Sequence, residues 1–194
     1  MATKIPVIGV LGLQGDFAEH ISILRSLGVK AVDVRLPHHL NELDGLIIPG
    51  GESTTIGKLM KLYGMDKAII RQYQNGMAIW GTCAGAILLA KKIEGSDQPR
   101  LNLMDISIRR NDYGRQIDSF EAEVEVGGIG SMRGVFIRAP VIKETGEDVE
   151  VLAHYEGNPI VVRQGNLLAS TFHPELSNSQ KIHEYFINKV VNGR

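Results

Sequence analysis

Ala78-Ile79-Trp80-Gly81-Thr82-Cys83-Ala84-Gly85-Ala86-Ile87-Leu88-Leu89 joins two apolar runs through a glycine-flanked cysteine, and Cys83 is the only cysteine of the chain. The first run, Met77 to Trp80, has the length of a buried strand; the second, Ala84 to Lys91, is rich in good helix formers and has no proline. Strand, tight turn, helix is the reading. Such a turn lifts its central residue out of the sheet and sets the sulfur beside the unpaired N–H groups that open the helix, where the dipole favours negative charge. A cysteine there can be a ready thiolate. Free cysteine also packs like a small hydrophobe, so this stretch by itself leaves nucleophile and structural filler equally open.

The residues before it follow the same grammar. Val7-Ile8-Gly9-Val10-Leu11 is a continuous apolar run, as a buried parallel strand requires, and Gly12-Leu13-Gln14-Gly15 turns the chain. Asp16 with Glu19 three residues on reads as a capping box, and Phe17, Ile21, Leu24 and Leu27 recur at helical spacing before Gly28 closes the helix. Val29 to Val34 is a second strand and Leu46-Ile47-Ile48-Pro49 a third, running into Gly50-Gly51-Glu52-Ser53-Thr54-Thr55. Helical spacing resumes with Ile56, Leu59, Met60 and Tyr63, stops near Gly64 and continues to Asn75-Gly76. Strand and helix thus alternate through the first ~90 residues, which predicts a doubly wound, mostly parallel sheet in a three-layer α/β/α arrangement.

Beyond Gly95 the pattern changes. Phe120-Glu121-Ala122-Glu123-Val124-Glu125-Val126 alternates with period two, a half-solvated strand whose glutamates form a wet face. Gly134 to Ala139, Val149 to His154, Pro159 to Val162 and Leu167 to Phe172 add short strands, expected to be antiparallel additions to the sheet, and a last helix from about Ser179 carries Ile182, Phe186 and Val190 back onto it. No repeat, linker or low-complexity tract divides the chain, so residues 1–194 are expected to form a single domain.

Composition narrows the function classes. Of 194 residues, 43% are hydrophobic and 22% charged, enough for a sizeable core, and 21 Lys and Arg nearly balance 22 Asp and Glu. No basic field points to nucleic acid or an anionic membrane. One cysteine excludes an intrachain disulfide, the N-terminus lacks the apolar core of a signal peptide, and no run approaches the ~18 residues that span a bilayer. A reducing cytoplasm is the expected location.

Two further motifs fall at predicted strand ends. In Thr171-Phe172-His173-Pro174-Glu175, His173 and Glu175 follow a strand and should emerge at the sheet edge that holds Cys83. A thiol needs a base to become thiolate and an acid to protonate its leaving group; imidazole does both near neutral pH, and a carboxylate on its second nitrogen fixes tautomer and orientation. Alone, the motif is a surface His-Pro-Glu turn; beside a nucleophile-type turn it is a catalytic pair. Gly50-Gly51-Glu52-Ser53 closes another strand, where paired glycines let the backbone approach a ligand and an N–H could hold an oxyanion. Ser53 can also cap the following helix.

Taken together, Gly81-Thr82-Cys83-Ala84-Gly85 and His173-Pro174-Glu175 resemble the class I (triad) glutamine amidotransferases, which hydrolyse glutamine and pass ammonia to a partner. Within them the chain is similar to the branch that serves pyridoxal 5'-phosphate synthases, through Gly9-Val10-Leu11-Gly12-Leu13-Gln14-Gly15, Pro49 to Thr55, Arg110-Asn111, Gly114-Arg115-Gln116, Asp118-Ser119-Phe120-Glu121 and Val135-Phe136-Ile137-Arg138-Ala139-Pro140. The differences fall in spacers such as Gly127 to Arg133. The resemblance implies Cys83 as nucleophile, His173 as acid and base, Glu175 as its orienting carboxylate, and the N–H groups of Gly51 and Ala84 as oxyanion donors. It further implies an L-glutamine site formed by Gly51, Glu52, Ser53, Arg110, Ile137 and Arg138 and a synthase subunit as partner; the charge balance and the histidine placements lead us to expect no cofactor, no metal, no nucleic acid and no membrane. Read without the resemblance, Arg110 and Arg138 are solvated surface arginines that could pair with a carboxylate.

The remaining histidines carry less. His38-His39 after Pro37 reads as a loop, because adjacent histidines rarely present both nitrogens to one ion. His20 lies near the apolar face of its helix and reads as packed or partner-facing, while His154 and His183 have no partner by spacing. Asp16, Phe17 and the Asn111 to Gln116 loop sit where a partner could dock. A thiol redox sensor or chaperone on a similar fold is the alternative class; it needs a reactive thiol but no imidazole placed for acyl transfer. A glutaminase for an imidazole glycerol phosphate or anthranilate system is a further alternative, disfavoured by the Gly-Glu-Ser-Thr-Thr and Phe-Ile-Arg-Ala-Pro segments.

Overall fold

The computed structural model describes residues 5–110 and 119–193. In chain order its strands are β1 Val7–Leu11, β2 Lys30–Val34, β3 Gly45–Ile48, β4 Ala78–Thr82, β5 Ala90–Ile93, β6 Met104–Arg109, β7 Ser119–Val126, β8 Gly130–Ile137, β9 Val141–Thr145, β10 Glu150–Tyr155, β11 Asn158–Gln164 and β12 Leu167–Ser170. Its helices are α1 Phe17–Ser26, α2 Ser53–Leu62, α3 Met65–Gln74, α4 Ala84–Leu89 and α5 Lys181–Tyr185, the last continuing into a π-helical segment, Phe186–Val191.

The central sheet has the order β10-β11-β12-β4-β3-β1-β2. Strands β12, β4, β3, β1 and β2 pair in parallel, and β10 and β11 extend the edge antiparallel. The apolar runs are explained by burial on both faces. Ile8, Val10, Ile47, Ala78 and Trp80 pack toward α1 and the C-terminal helix, whereas Leu11, Leu46, Ile48 and Ile79 pack with Ile56, Met60, Ile69 and Leu88 of α2, α3 and α4. Period-two alternation thus feeds two cores, one on each side of the sheet, which is the three-layer arrangement expected from the sequence. Two smaller sheets stand outside it: β5-β6-β9 joins the core of α2 to α4, and the β7-β8 hairpin joins the opposite one through Val124, Val126, Met132 and Phe136.

Several local expectations need correction. Leu167–Ser170 is antiparallel only to β11; on its other side it pairs in parallel with β4 and so belongs to the parallel sheet. Helix α4 ends at Leu89 and the chain passes directly into β5, because the carbonyls of Leu88 and Leu89 accept from the N–H groups of Leu101 and Leu103 at 2.7 and 3.0 Å and so have partners outside the helix. Strands β6 and β9 have no counterpart in the sequence reading, although Met104-Asp105-Ile106-Ser107-Ile108 alternates visibly. Asp16 precedes α1 but its carboxylate caps nothing, so no capping box forms. His38 and His39 lie in a 3-10 turn, Pro37–Leu40, where His39 Nδ1 accepts from the Arg35 N–H at 3.2 Å. Among the described residues no helix is long and apolar enough to cross a membrane.

Register is what places the site. Ile48 pairs with Gly81, and Ser170 with Thr82, so β3, β4 and β12 end at one level. Gly50-Gly51, Cys83 and His173 therefore leave the sheet side by side at its carboxyl edge, where ligands bind in open α/β sheets.

Candidate active site

Cys83 stands between β4 and α4 at φ 48° and ψ −103°. This conformation costs a side-chain-bearing residue about 1–3 kcal/mol, and the surrounding backbone holds it. The Cys83 N–H donates to the Ser170 carbonyl at 2.8 Å, and its own carbonyl accepts from Ala86 and Ile87 at 3.1 and 3.3 Å. The elbow packs backbone on backbone, since a Cβ at Gly85 would meet the Ile48 carbonyl oxygen at 2.0 Å and one at Gly81 would meet the Gly85 carbonyl carbon at 2.4 Å. The glycines flanking the cysteine are there for this contact.

His173 follows β12, and its N–H is tied to the Val135 carbonyl of β8 at 2.8 Å. Its Nδ1 lies 2.7 Å from Glu175 Oε1. A carboxylate only accepts, which assigns a ring proton to Nδ1 and leaves Nε2 as the nitrogen that can serve the Cys83 thiol; Cys83 Sγ itself stands 3.9 Å from the Ile137 carbonyl oxygen, its long hydrogen-bond acceptor. Glu175 sits in the 3-10 turn Pro174–Leu176, and both His173 and Glu175 are buried. Burial works against the charged form of each. The hydrogen bonds and charges of Cys83 and Glu175 outweigh it at His173, raising the imidazolium to about 10, and the hydrogen bond from His173, with His20 close by, outweighs it at Glu175, holding that carboxyl well below the usual range. Asp16 lies 3.3 Å from the same Nδ1, a longer and half-exposed contact, and burial raises its carboxyl. Ligating atoms of Asp16, His173 and Glu175 lie within 4.8 Å of one another. A metal ion there would have to take the nitrogen that fixes the histidine's tautomer.

The second loop packs directly on the imidazole. A Cβ on Gly50 would stand 2.3 Å from His173 Cε1, so only glycine allows this approach. The Gly50 carbonyl accepts from the Asp16 N–H at 3.1 Å, and Gln14 Oε1 accepts from the Glu52 N–H at 2.8 Å. Glu52, and not Ser53, caps α2: its Oε1 accepts from the Thr54 N–H and hydroxyl at 3.2 and 2.7 Å. That contact, with the charges of Arg110 and Arg138, lowers the Glu52 carboxyl. Ser53 is instead buried against Gln98, whose Nε2 donates to Ser53 Oγ at 3.0 Å while Arg110 Nη1 donates to Gln98 Oε1 at 2.9 Å.

These groups surround one cleft of about 350 Å³. Gly51, Glu52, Ser53, Cys83, Ala84, Arg110, Ile137, Arg138 and His173 line it, and Glu175 stands behind His173. Every site residue singled out from the sequence is therefore in or directly behind the cleft. Gln14, Asp16, Ile87 and Leu176 also line it, and Gln98 braces Arg110; sequence reasoning gave none of them a role in the site, and only the Gln14-Gly15 turn carried a signal. His183, read as having no partner, is buried with Nε2 2.9 Å from His20 Nδ1. Of the proposed docking residues, Asn111 to Gln116 lie outside the described residues, as does Asp118 of the resemblance.

A strained cysteine elbow with a buried His-Glu pair at the carboxyl edge of a doubly wound sheet defines a three-layer α/β protein of the nucleophile-elbow class. The profile of the SNO glutamine amidotransferase family matches residues 10–192. The chain is 53% identical over 183 residues to "Pyridoxal 5'-phosphate synthase subunit PdxT" of Thermus thermophilus, covering 93% of this chain and 96% of that one, and 49% identical over 185 residues to the protein of the same name from Thermotoga neapolitana, covering 94% and 98%. A solved "glutamine amidotransferase" superposes with a TM-score of 0.91 at 52% identity, covering 94% of this chain and 98% of its own. The chain belongs to the SNO glutamine amidotransferase family, and this membership removes the redox-sensor reading.

Proposed function

We propose that the chain is the glutaminase subunit of a pyridoxal 5'-phosphate synthase, working in the cytoplasm as one amidotransferase domain that hydrolyses L-glutamine and hands ammonia to a synthase subunit. The observation that carries the reading is the Cys83 elbow facing the His173–Glu175 pair inside a cleft with two arginines, in a chain about half identical to proteins named as subunits of that synthase.

The chemistry follows from the geometry. With its proton on His173, the Cys83 thiolate attacks the carboxamide carbon, and the N–H groups of Gly51 and Ala84 hold the oxyanion; Ala84 opens α4, so its N–H has no acceptor one turn back. The His173 imidazolium protonates the departing nitrogen as the C–N bond breaks, releasing ammonia and leaving a γ-glutamyl thioester. Neutral His173 then takes a proton from water, the hydroxide adds to the thioester, and cleavage of the C–S bond releases glutamate and restores the thiolate. Glu175 keeps the imidazole in one tautomer throughout. Arg110 and Arg138 suit the substrate's α-carboxylate and Glu52 its α-ammonium, with Ser53 and Ile137 closing the walls.

The test is glutamate release from glutamine, measured with and without a pyridoxal 5'-phosphate synthase subunit. Stimulation by that subunit is expected; turnover indifferent to it would assign the chain to a different amidotransferase system.

A further inference from the structure

Behind the Cys83–His173–Glu175 set lies a second buried group of side chains that the chemistry above does not use. His20 of α1 and His183 of α5 are both wholly buried, with His20 Nδ1 2.9 Å from His183 Nε2. The other face of His20 looks at the triad: its Nε2 is 3.3 Å from Glu175 Oε2 and 3.4 Å from Thr82 Oγ1. Glu175 Oε2 has no better-aligned donor among the described residues, so the long, off-axis contact with His20 is what stands between a buried carboxylate oxygen and no partner. The indole of Trp80 closes the pocket, edge-on to both rings at 5.7 and 4.8 Å.

We propose that His20 is a positioning residue for Glu175, with His183 setting its tautomer. With its proton on Nδ1, neutral His20 could accept from Thr82 Oγ1–H at Nε2 and donate to His183 Nε2, but Glu175 Oε2 would then have no donor at all among the described residues. The arrangement that also serves the carboxylate is a single one. His173 Nδ1–H donates to Glu175 Oε1 and His20 Nε2–H faces Glu175 Oε2, which leaves His20 Nδ1 as an acceptor for the Nε2–H of His183. The single cost is His183 Nδ1, a buried acceptor left without a donor. The opposite tautomer of His20 would set a nitrogen lone pair against a carboxylate. Burial holds His183 far below the usual histidine range and so keeps it neutral, as a ring that donates from Nε2 alone requires. The titratable groups around Glu175 are His173 on its own segment, Asp16 ahead of α1, His20 on α1, His183 on α5 and, beyond His173, Cys83.

The inference rests on the glutaminase reading. Its first test is ¹⁵N NMR of the unaltered chain: His20 is expected as the neutral Nε2–H tautomer, and an Nδ1–H tautomer would overturn the proposal. The second is the pH dependence of glutamate release in the complex with the synthase subunit. For His20→Leu, kcat should fall by about tenfold or more with KM for glutamine little changed, and the acid limb should move up by about one pH unit, because the carboxylate has lost its second donor. His20→Gln, which retains an N–H donor, should recover much of both. A purely structural role would lower folded yield while leaving the pH profile of the folded chain where it was, and that result refutes the proposal; should His20→Leu fail to fold, the NMR tautomer decides. An active Cys83→Ala chain would bring down the glutaminase reading itself, whereas an inactive Cys83→Ala beside an unshifted His20→Leu profile would bring down only the role of His20.

Discussion

The two walls of the cleft are built differently. Gly51, Cys83 and His173 leave the ends of β3, β4 and β12, parallel strands locked in register, whereas Arg110 and Ile137–Arg138 leave β6 and β8, which belong to the two small sheets outside the central one. The first wall is fixed by backbone contacts too close for a Cβ; the second is held by side-chain bonds such as Arg110 to Gln98. In the proposed reading the reacting groups all stand on the first wall, and the second supplies the arginines for the substrate's α-carboxylate. Substitutions at Cys83, His173 and Glu175 should thus change kcat, and those at Arg110 and Arg138 KM.

The largest effect is expected at the thiol. Cys83→Ala should lower glutamine turnover by about 10⁴-fold or more, with His173→Asn close behind, since residues acting as one unit fail together; steady-state glutamate release measures both. Glu175→Gln keeps the base but loosens its tautomer, and a fall in kcat of about 10² to 10⁴-fold is expected. On the opposite wall, Arg110→Ala or Arg138→Ala should raise KM for glutamine by about 10 to 100-fold, the worth of a charge-assisted hydrogen bond, with kcat within a few-fold. A collapse of kcat there would erase the division between the walls.

The smallest effect is electrostatic. His173 is raised to about 10 partly by Cys83, so Cys83→Ala should lower its titration midpoint, read by NMR, toward the ordinary 6.5. The sign for stability follows: a raised histidine stabilises fully below pH 6.5 and loses that contribution as pH climbs through about 10, while the depressed Glu175 stabilises above 4.5 and loses it as pH falls below that value. The wild-type chain should lose more stability than Cys83→Ala between pH 7 and 10.

The sequence makes the first wall legible and much of the second opaque, for a physical reason. Apolar runs ended by Gly50-Gly51 and by Gly81-Thr82-Cys83 report local geometry, and period and turn chemistry are local. Arg110 meeting Gln98, or His20 meeting Glu175, depends on how distant segments fold together, and neither residue's neighbours in sequence hint at it. Asp16 shows the converse failure: its spacing to Glu19 imitates a capping box, yet its carboxylate turns to His173. For Arg110, Ile137 and Arg138 the resemblance to a family carried what spacing could not.

The central claim is that Cys83 is the nucleophile of this cleft. The most direct measurement is labelling by a chloroketone analogue of glutamine, followed by mass spectrometry and residual glutaminase activity. One label per chain on Cys83, activity lost in proportion and protection by glutamine are predicted; a label elsewhere with activity lost, or Cys83 fully labelled with activity intact, would contradict it.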